Sequence, residues 1–165
     1  MSRRFNLPSE NRRSPGPWAG TSARLIAGRT AQFILPESMI KSKFIRDILD
    51  LLSDGDSFGQ SVREQINYLT EKSYNYTGVG LFVDFSHDPG IEKLKTNNEK
   101  LILNGVIIRS KEIELGAEAT VFCDNGLIDY LEIWSHDGVY PKKELETYTL
   151  TQEWTGSPGR KIVVD

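Results

Sequence analysis

Residues 117–134, with the sequence AEATVFCDNGLIDYLEIW, decide the fold of this chain. Two runs rich in β-branched and aromatic residues flank Asp124-Asn125-Gly126, the strongest short signal for a β-hairpin in the sequence. The segment therefore predicts two antiparallel strands near the middle of the fold. It predicts no reaction, because no phosphate-binding loop, metal signature or nucleophile motif accompanies it.

The hairpin has two registers, which place different residues opposite each other. A two-residue turn at Asn125-Gly126 gives one set of opposite pairs: Cys123 with Ile128, Val121 with Tyr130, and Ala119 with Glu132. A three-residue turn pairs Glu118 with Glu132 instead, and like charges directly opposite are unfavourable by about 0.2–1 kcal/mol. We therefore expect the two-residue turn.

Two helices are predicted before these strands. Apolar residues recur on one face from Phe44 to Leu52, and Ser53-Asp54-Gly55 ends the run. Ser57 and Gln60 have the spacing of a capping box, which predicts the start of a second helix. This helix should end near residue 73, and its apolar face consists of Phe58, Val62, Ile66 and Leu69.

The remaining pattern is rich in strands. Period-two alternation predicts them at 78–85, 101–110 with a bulge at Gly105, and 146–154, with an edge strand at 162–164 and a short first strand at 33–35. The chain is therefore expected to be an α+β protein, with two N-terminal helices packed on a mostly antiparallel sheet of about five strands.

Charge divides the chain into two parts. Residues 1–30 hold six arginines against one glutamate, a net charge of +5, whereas the rest holds 14 basic and 22 acidic residues, a net charge of −8. Residues 1–30 also lack apolar periodicity, so we expect a basic, flexible tail there and a single α+β domain at 31–165. The acidic domain disfavours direct binding of nucleic acid and favours a basic protein partner.

Composition restricts the location of the protein as well. No apolar run approaches the ~18 residues that span a bilayer, and the start of the chain is polar and contains proline, so we expect neither a membrane span nor a signal peptide. Cys123 is the single cysteine, which favours a reducing compartment. We expect a cytoplasmic protein.

Residues that could perform chemistry are few: the pairs His87-Asp88 and His136-Asp137, and Cys123. With Asp84, the first pair could supply three metal ligands, but both pairs precede turn residues, where aspartate commonly caps its own backbone. A lone cysteine at a strand end is typical of a small core residue. We therefore expect no catalytic residue, metal or cofactor.

Aromatic side chains beside carboxylates are typical of protein interfaces. In the expected register Glu132 lies between Tyr130 and Trp134 on one face of the sheet. We expect partner contacts at these three residues and around the following turn, at Asp129, His136, Asp137 and Tyr140. The alternative is that Tyr130 and Trp134 fill the core.

Residues 126–150 have the sequence GLIDYLEIWSHDGVYPKKELETYTL. They contain, in this order, a hairpin turn, an L-x-x-L-E-I-W-S run, an Asp-Gly turn, Tyr-Pro and a closing Y-x-L strand. It resembles the small immunity proteins encoded beside bacterial polymorphic or contact-dependent growth-inhibition toxins. The resemblance implies a cytoplasmic, non-enzymatic protein that binds one toxin domain and blocks its active site. Another protein- or small-ligand-binding regulatory domain, and a small hydrolase or metal-dependent enzyme, stay open as alternatives.

Overall fold

The computed structural model of this chain describes residues 39–165. The predicted basic tail at 1–30 and the predicted strand at 33–35 lie outside the described residues. No helix among residues 39–165 is long and apolar enough to cross a membrane.

The described residues form an α+β fold with one seven-stranded sheet. The α-helices are α1 (Lys43–Leu52) and α2 (Ser57–Arg63), and two 3₁₀ segments occupy Glu64–Tyr68 and Pro89–Leu94. The strands are β1 (Leu69–Tyr76), β2 (Gly80–His87), β3 (Lys100–Ser110), β4 (Ile113–Asp124), β5 (Leu127–Ser135), β6 (Tyr148–Gln152) and β7 (Lys161–Val164). Their order is β1-β2-β5-β4-β3-β6-β7, and every neighbouring pair is antiparallel. The prediction of an α+β fold is confirmed, but the sheet has seven strands rather than about five.

Helix α1 forms as its sequence predicts. The Ser42 hydroxyl caps its first turn by accepting the Ile45 N–H at 3.0 Å, and the helix ends at Leu52. Its apolar stripe packs on β3, β4 and β6 and is fully buried. The chain leaves the helix through Gly55, where φ is +103° and a Cβ atom would lie 2.5 Å from Pro158.

Helix α2 differs from the prediction at both ends. Its cap is Asp56, whose carboxylate accepts the Gly59 N–H at 2.7 Å, so the capping box at Ser57 is wrong. The helix has only seven residues, and Phe58, predicted in the core, is 55% exposed. Residues 69–76, predicted partly as helix, instead form strand β1, because pairing with β2 outweighs the local helical pattern.

The hairpin turn has the predicted two residues. Asn125 and Gly126 both have positive φ, 50° and 77°, as a type I′ turn requires. Cys123 lies opposite Ile128, which confirms that pair. The bulge predicted near Gly105 is also present, because the β3–β4 register shifts between Leu103 and Val106.

Beyond Ile128 the hairpin departs from prediction. A β-bulge at Asp129 shifts the register by one residue, so Tyr130 lies opposite Phe122 and Glu132 opposite Thr120. The predicted pairs Val121–Tyr130 and Ala119–Glu132 are therefore wrong.

A buried glutamine stabilises this bulge. The side chain of Gln65, with no exposed surface, accepts the Ile128 N–H at 2.9 Å and donates to the carbonyls of Gly126 and Leu94, each at 3.0 Å. The Ile128 carbonyl in turn lies 2.6 Å from Nε2 of His87. Both backbone groups at the bulge thus bond to side chains from elsewhere in the chain.

We predict that Gln65→Met destabilises the fold by about 2–4 kcal/mol, because a side chain of similar size removes three hydrogen bonds to the backbone, two of them buried. Gln60→Met, on the exposed surface of α2, is the matched control and should change the free energy of unfolding by less than about 0.5 kcal/mol. Urea denaturation measures both. Equal losses in the two variants would contradict this role of Gln65.

Candidate functional site: the outer face of the sheet

Alternate residues of β2, β4 and β5 point away from the core, and their side chains define the outer face. These residues are Phe82, Asp84, Glu118, Thr120, Phe122, Tyr130, Glu132 and Trp134. All are exposed or half-buried, whereas the residues between them, such as Leu131 and Ile133, are completely buried. The period-two pattern thus separates an exposed face from a buried core.

Three aromatic rings form a row across the outer face. The Tyr130 ring stacks on Phe122 with a centroid distance of 4.6 Å and an interplanar angle of 10°. On its other side it meets Phe82 at 6.3 Å. The row joins three strands, and cross-strand aromatic pairs of this kind contribute roughly 0.2–1 kcal/mol each.

The same strands carry negative charge without any positive charge. Their sequences hold six carboxylates, one in β2, three in β4 and two in β5, and neither lysine nor arginine. Glu132 lies beside Phe82 and Thr120, and Glu118 lies opposite Trp134. Partial burial, with the charges of Glu132 and Asp129, raises the pKa of Tyr130, so its hydroxyl is a neutral donor at pH 7.

The structure brings four of the predicted contact residues together. Tyr130 and Glu132 are half-buried on the outer face, Trp134 is 53% exposed beside them, and Asp129 is exposed at the bulge. The alternative that Tyr130 and Trp134 fill the core is therefore wrong.

The residues of the following turn behave differently. Asp137 accepts the Ser135 hydroxyl and the Val139 N–H, and these hydrogen bonds lower its pKa. His136 is exposed, with Nδ1 3.2 Å from the Leu115 carbonyl. Tyr140 is 3% exposed, and this burial removes its side chain from the surface on which we predicted it.

The other pair, His87-Asp88, also forms a turn. Asp88 accepts the Gly90 N–H at 2.8 Å, while His87 bonds to Ile128 and Asp84 accepts the Ser73 hydroxyl. The predicted turn role is confirmed for both aspartates. Within residues 39–165, no group of three histidine, cysteine or acidic side chains is placed to hold a metal ion.

Cys123 is a core residue, as predicted. It is buried, and that burial, with the charge of Asp129, raises the pKa of its thiol to about 12. At pH 7 it is protonated and a poor nucleophile.

Sequence reasoning missed a cleft beside strand β1. Its walls include Glu71, Tyr74, Tyr76 and Glu144, and its volume is about 500 Å³. The alternation S-Y-N-Y at 73–76 is typical of a strand. The apolar residues before it have helical spacing, however, and this spacing predicts a helix as far as residue 73, over the start of β1.

Comparison of the chain with protein families, with curated proteins and with solved structures gives no match.

We predict that replacing both histidines, His87→Gln and His136→Gln, leaves the fold intact and changes the free energy of unfolding by less than about 1 kcal/mol. The glutamine amide at position 87 can still donate to the Ile128 carbonyl. Any partner affinity should change less than about tenfold. Stoichiometric metal in protein purified without chelator would contradict the expectation that the histidines bind no metal, and unfolding of the double variant would contradict the expectation that the fold does not require them.

Proposed function

We propose that this chain is a non-enzymatic binding protein whose outer face takes a basic protein partner. Its specific role in this proposal is that of an immunity protein, which neutralises a cognate toxin domain by covering the toxin's active site. The observation that carries the proposal is the outer face itself, where an aromatic row lies among carboxylates on three adjacent strands without lysine or arginine.

The composition of the outer face supports a protein partner. Trp and Tyr dominate the hot spots of protein interfaces, and here both lie beside acidic side chains. A negative surface also steers a positive partner towards it and raises the association rate. Phosphate backbones are repelled by the same field, so nucleic acid is an unsuitable partner.

A nuclease toxin has the charge that fits this surface. An enzyme that binds a phosphate backbone needs clustered lysine and arginine in its cleft. The outer face presents the complementary carboxylates, with Trp134 and Tyr130 as anchors. Occupation of the cleft by this face would exclude the nucleic acid substrate.

The resemblance of residues 126–150 to immunity proteins supports the role rather than the fold. This segment supplies β5, with Tyr130, Glu132 and Trp134, and extends through the turn at Asp137 into β6. The part of the chain that carries the resemblance therefore also supplies the centre of the proposed contact surface.

Co-expression tests the role directly. The C-terminal domain encoded by the adjacent upstream reading frame should be toxic alone and harmless with this chain, and the two should co-purify. Failure to protect, together with a measurable turnover by the purified protein, would overturn the proposal and favour the enzyme alternative.

For the purified complex, we predict that Trp134→Ala weakens binding by about 2 kcal/mol or more, roughly thirtyfold, because it removes an exposed aromatic anchor. Val163→Ala is the control, since Val163 is an equally exposed apolar side chain on the edge strand β7. Calorimetry measures the affinity of both variants. Equal losses of affinity would show that the interface does not lie on the outer face.

Charge can be tested separately through association kinetics. Glu132→Gln should lower the association rate, and the rate of the wild type should fall as ionic strength rises. Glu99→Gln removes the same charge from an exposed loop and should leave the rate nearly unchanged. An association rate that is independent of salt would contradict electrostatic steering.

A further inference from the structure

The cleft beside β1 is separate from the outer face and has features of a second binding site. Tyr74 and Tyr76 lie opposite Val83 and Leu81, two core residues of β2, so they project from the helix-bearing side of the sheet. The cleft of about 500 Å³ lies between them, the start of α1 and Glu144. Its size is in the range of small-ligand sites.

One wall holds a fixed negative charge. The Glu71 carboxylate accepts the backbone N–H groups of Lys41 and Ser42, each at 2.9 Å, and the Tyr74 hydroxyl at 3.3 Å. Burial alone would raise the pKa of Glu71, but these hydrogen bonds outweigh it and the pKa lies below its usual value. Glu71 is therefore ionised and held in one position.

Two tyrosine rings form the adjoining wall. The rings of Tyr74 and Tyr76 are stacked, with centroids 6.4 Å apart and an interplanar angle of 14°. Burial raises the pKa of both, and the charge of Glu144 raises them further. Both phenols stay neutral, so their rings present electron-rich faces to which a cation is attracted.

The two carboxylates that line the cleft are not neutralised by the described part of the chain. Among residues 39–165, neither Glu71 nor Glu144 has an ion-pair partner. Lys41 also lines the cleft, but it forms no ion pair with either carboxylate.

We infer that this cleft binds an organic cation, an ammonium or guanidinium group, between the tyrosine rings and the two glutamates. Such a group supplies positive charge to two carboxylates that have no ion-pair partner among residues 39–165, and it supplies N–H donors to the phenol oxygens of Tyr74 and Tyr76. Anions are repelled by the same carboxylates. The cation belongs either to a small amine or to a lysine or arginine side chain of a protein, and this site is independent of the outer face.

Titration of the full chain, followed by NMR of its backbone amides, tests the inference. The probes are Nα-acetyl-arginine amide, Nα-acetyl-lysine amide, agmatine and n-butylamine, with Nα-acetyl-citrulline amide as the neutral analogue. We expect saturable shifts at Glu71, Tyr74 and Tyr76 with the cations and none with citrulline. Tighter binding of the capped amino acids than of the free amines indicates a protein side chain, and the reverse order indicates a small molecule.

Variants make the test specific. Glu144→Gln should weaken binding of the best probe at least tenfold, whereas Glu146→Gln, an exposed glutamate two residues away, should change it less than twofold. Trp134→Ala should leave the affinity for the probe unchanged, so the result does not depend on the proposed function of the outer face. Equal binding of citrulline, no effect of Glu144→Gln, or no saturation at 20 mM probe would overturn the inference.

Discussion

The hydrogen bonds between Gln65 and the β4–β5 hairpin are the interaction on which the rest of this structure depends. A bulge leaves backbone groups outside the ladder, and burying them unpaired is costly. Here the amide of Gln65 takes the N–H of Ile128 and donates to the carbonyl of Gly126 in the turn. A second buried glutamine, Gln152, works in the same way at the other end of the sheet, where it donates to the carbonyl of Leu51 and accepts the N–H of Arg160. Both side chains use their donors and acceptors to fix irregular backbone inside a continuous core.

The bulge determines which chemistry reaches the surface. Because the register shifts after Ile128, Tyr130 lies opposite Phe122 and stacks on it, and Glu132 lies between Phe82 and Thr120. In the regular register Glu132 would instead lie opposite Ala119, a buried residue. The arrangement of aromatic rings and carboxylates on the outer face is thus a consequence of a polar contact on the opposite side of the sheet.

Local patterns in the sequence were sufficient to predict α1, the type I′ turn and strands β2 to β5, because each of these elements depends on residues close together in the chain. The features that were missed depend on distant partners. The bulge needs Gln65, which is 63 residues from Ile128, and strand β1 needs β2 to outweigh a helical apolar pattern. The local pattern placed Tyr130, Glu132 and Trp134 on one face of β5 but left open whether that face is buried. The burial of Tyr140 follows from the path of the loop after β5, which no local pattern specifies.

The order of the strands has a consequence for folding. Strand β5 lies between its sequence neighbour β4 and the distant β2, so that Gly80 pairs with Trp134 and Asp84 with Tyr130, 54 and 46 residues apart. Closing such loops costs entropy before the contacts repay it, so the pairing of β2 with β5 is expected to form more slowly than the local hairpins. The β4–β5 hairpin can form early, but Phe82 reaches Tyr130 only after β2 has docked. The aromatic row is therefore assembled late, and a newly synthesised chain presents its complete outer face only after β2 has paired with β5.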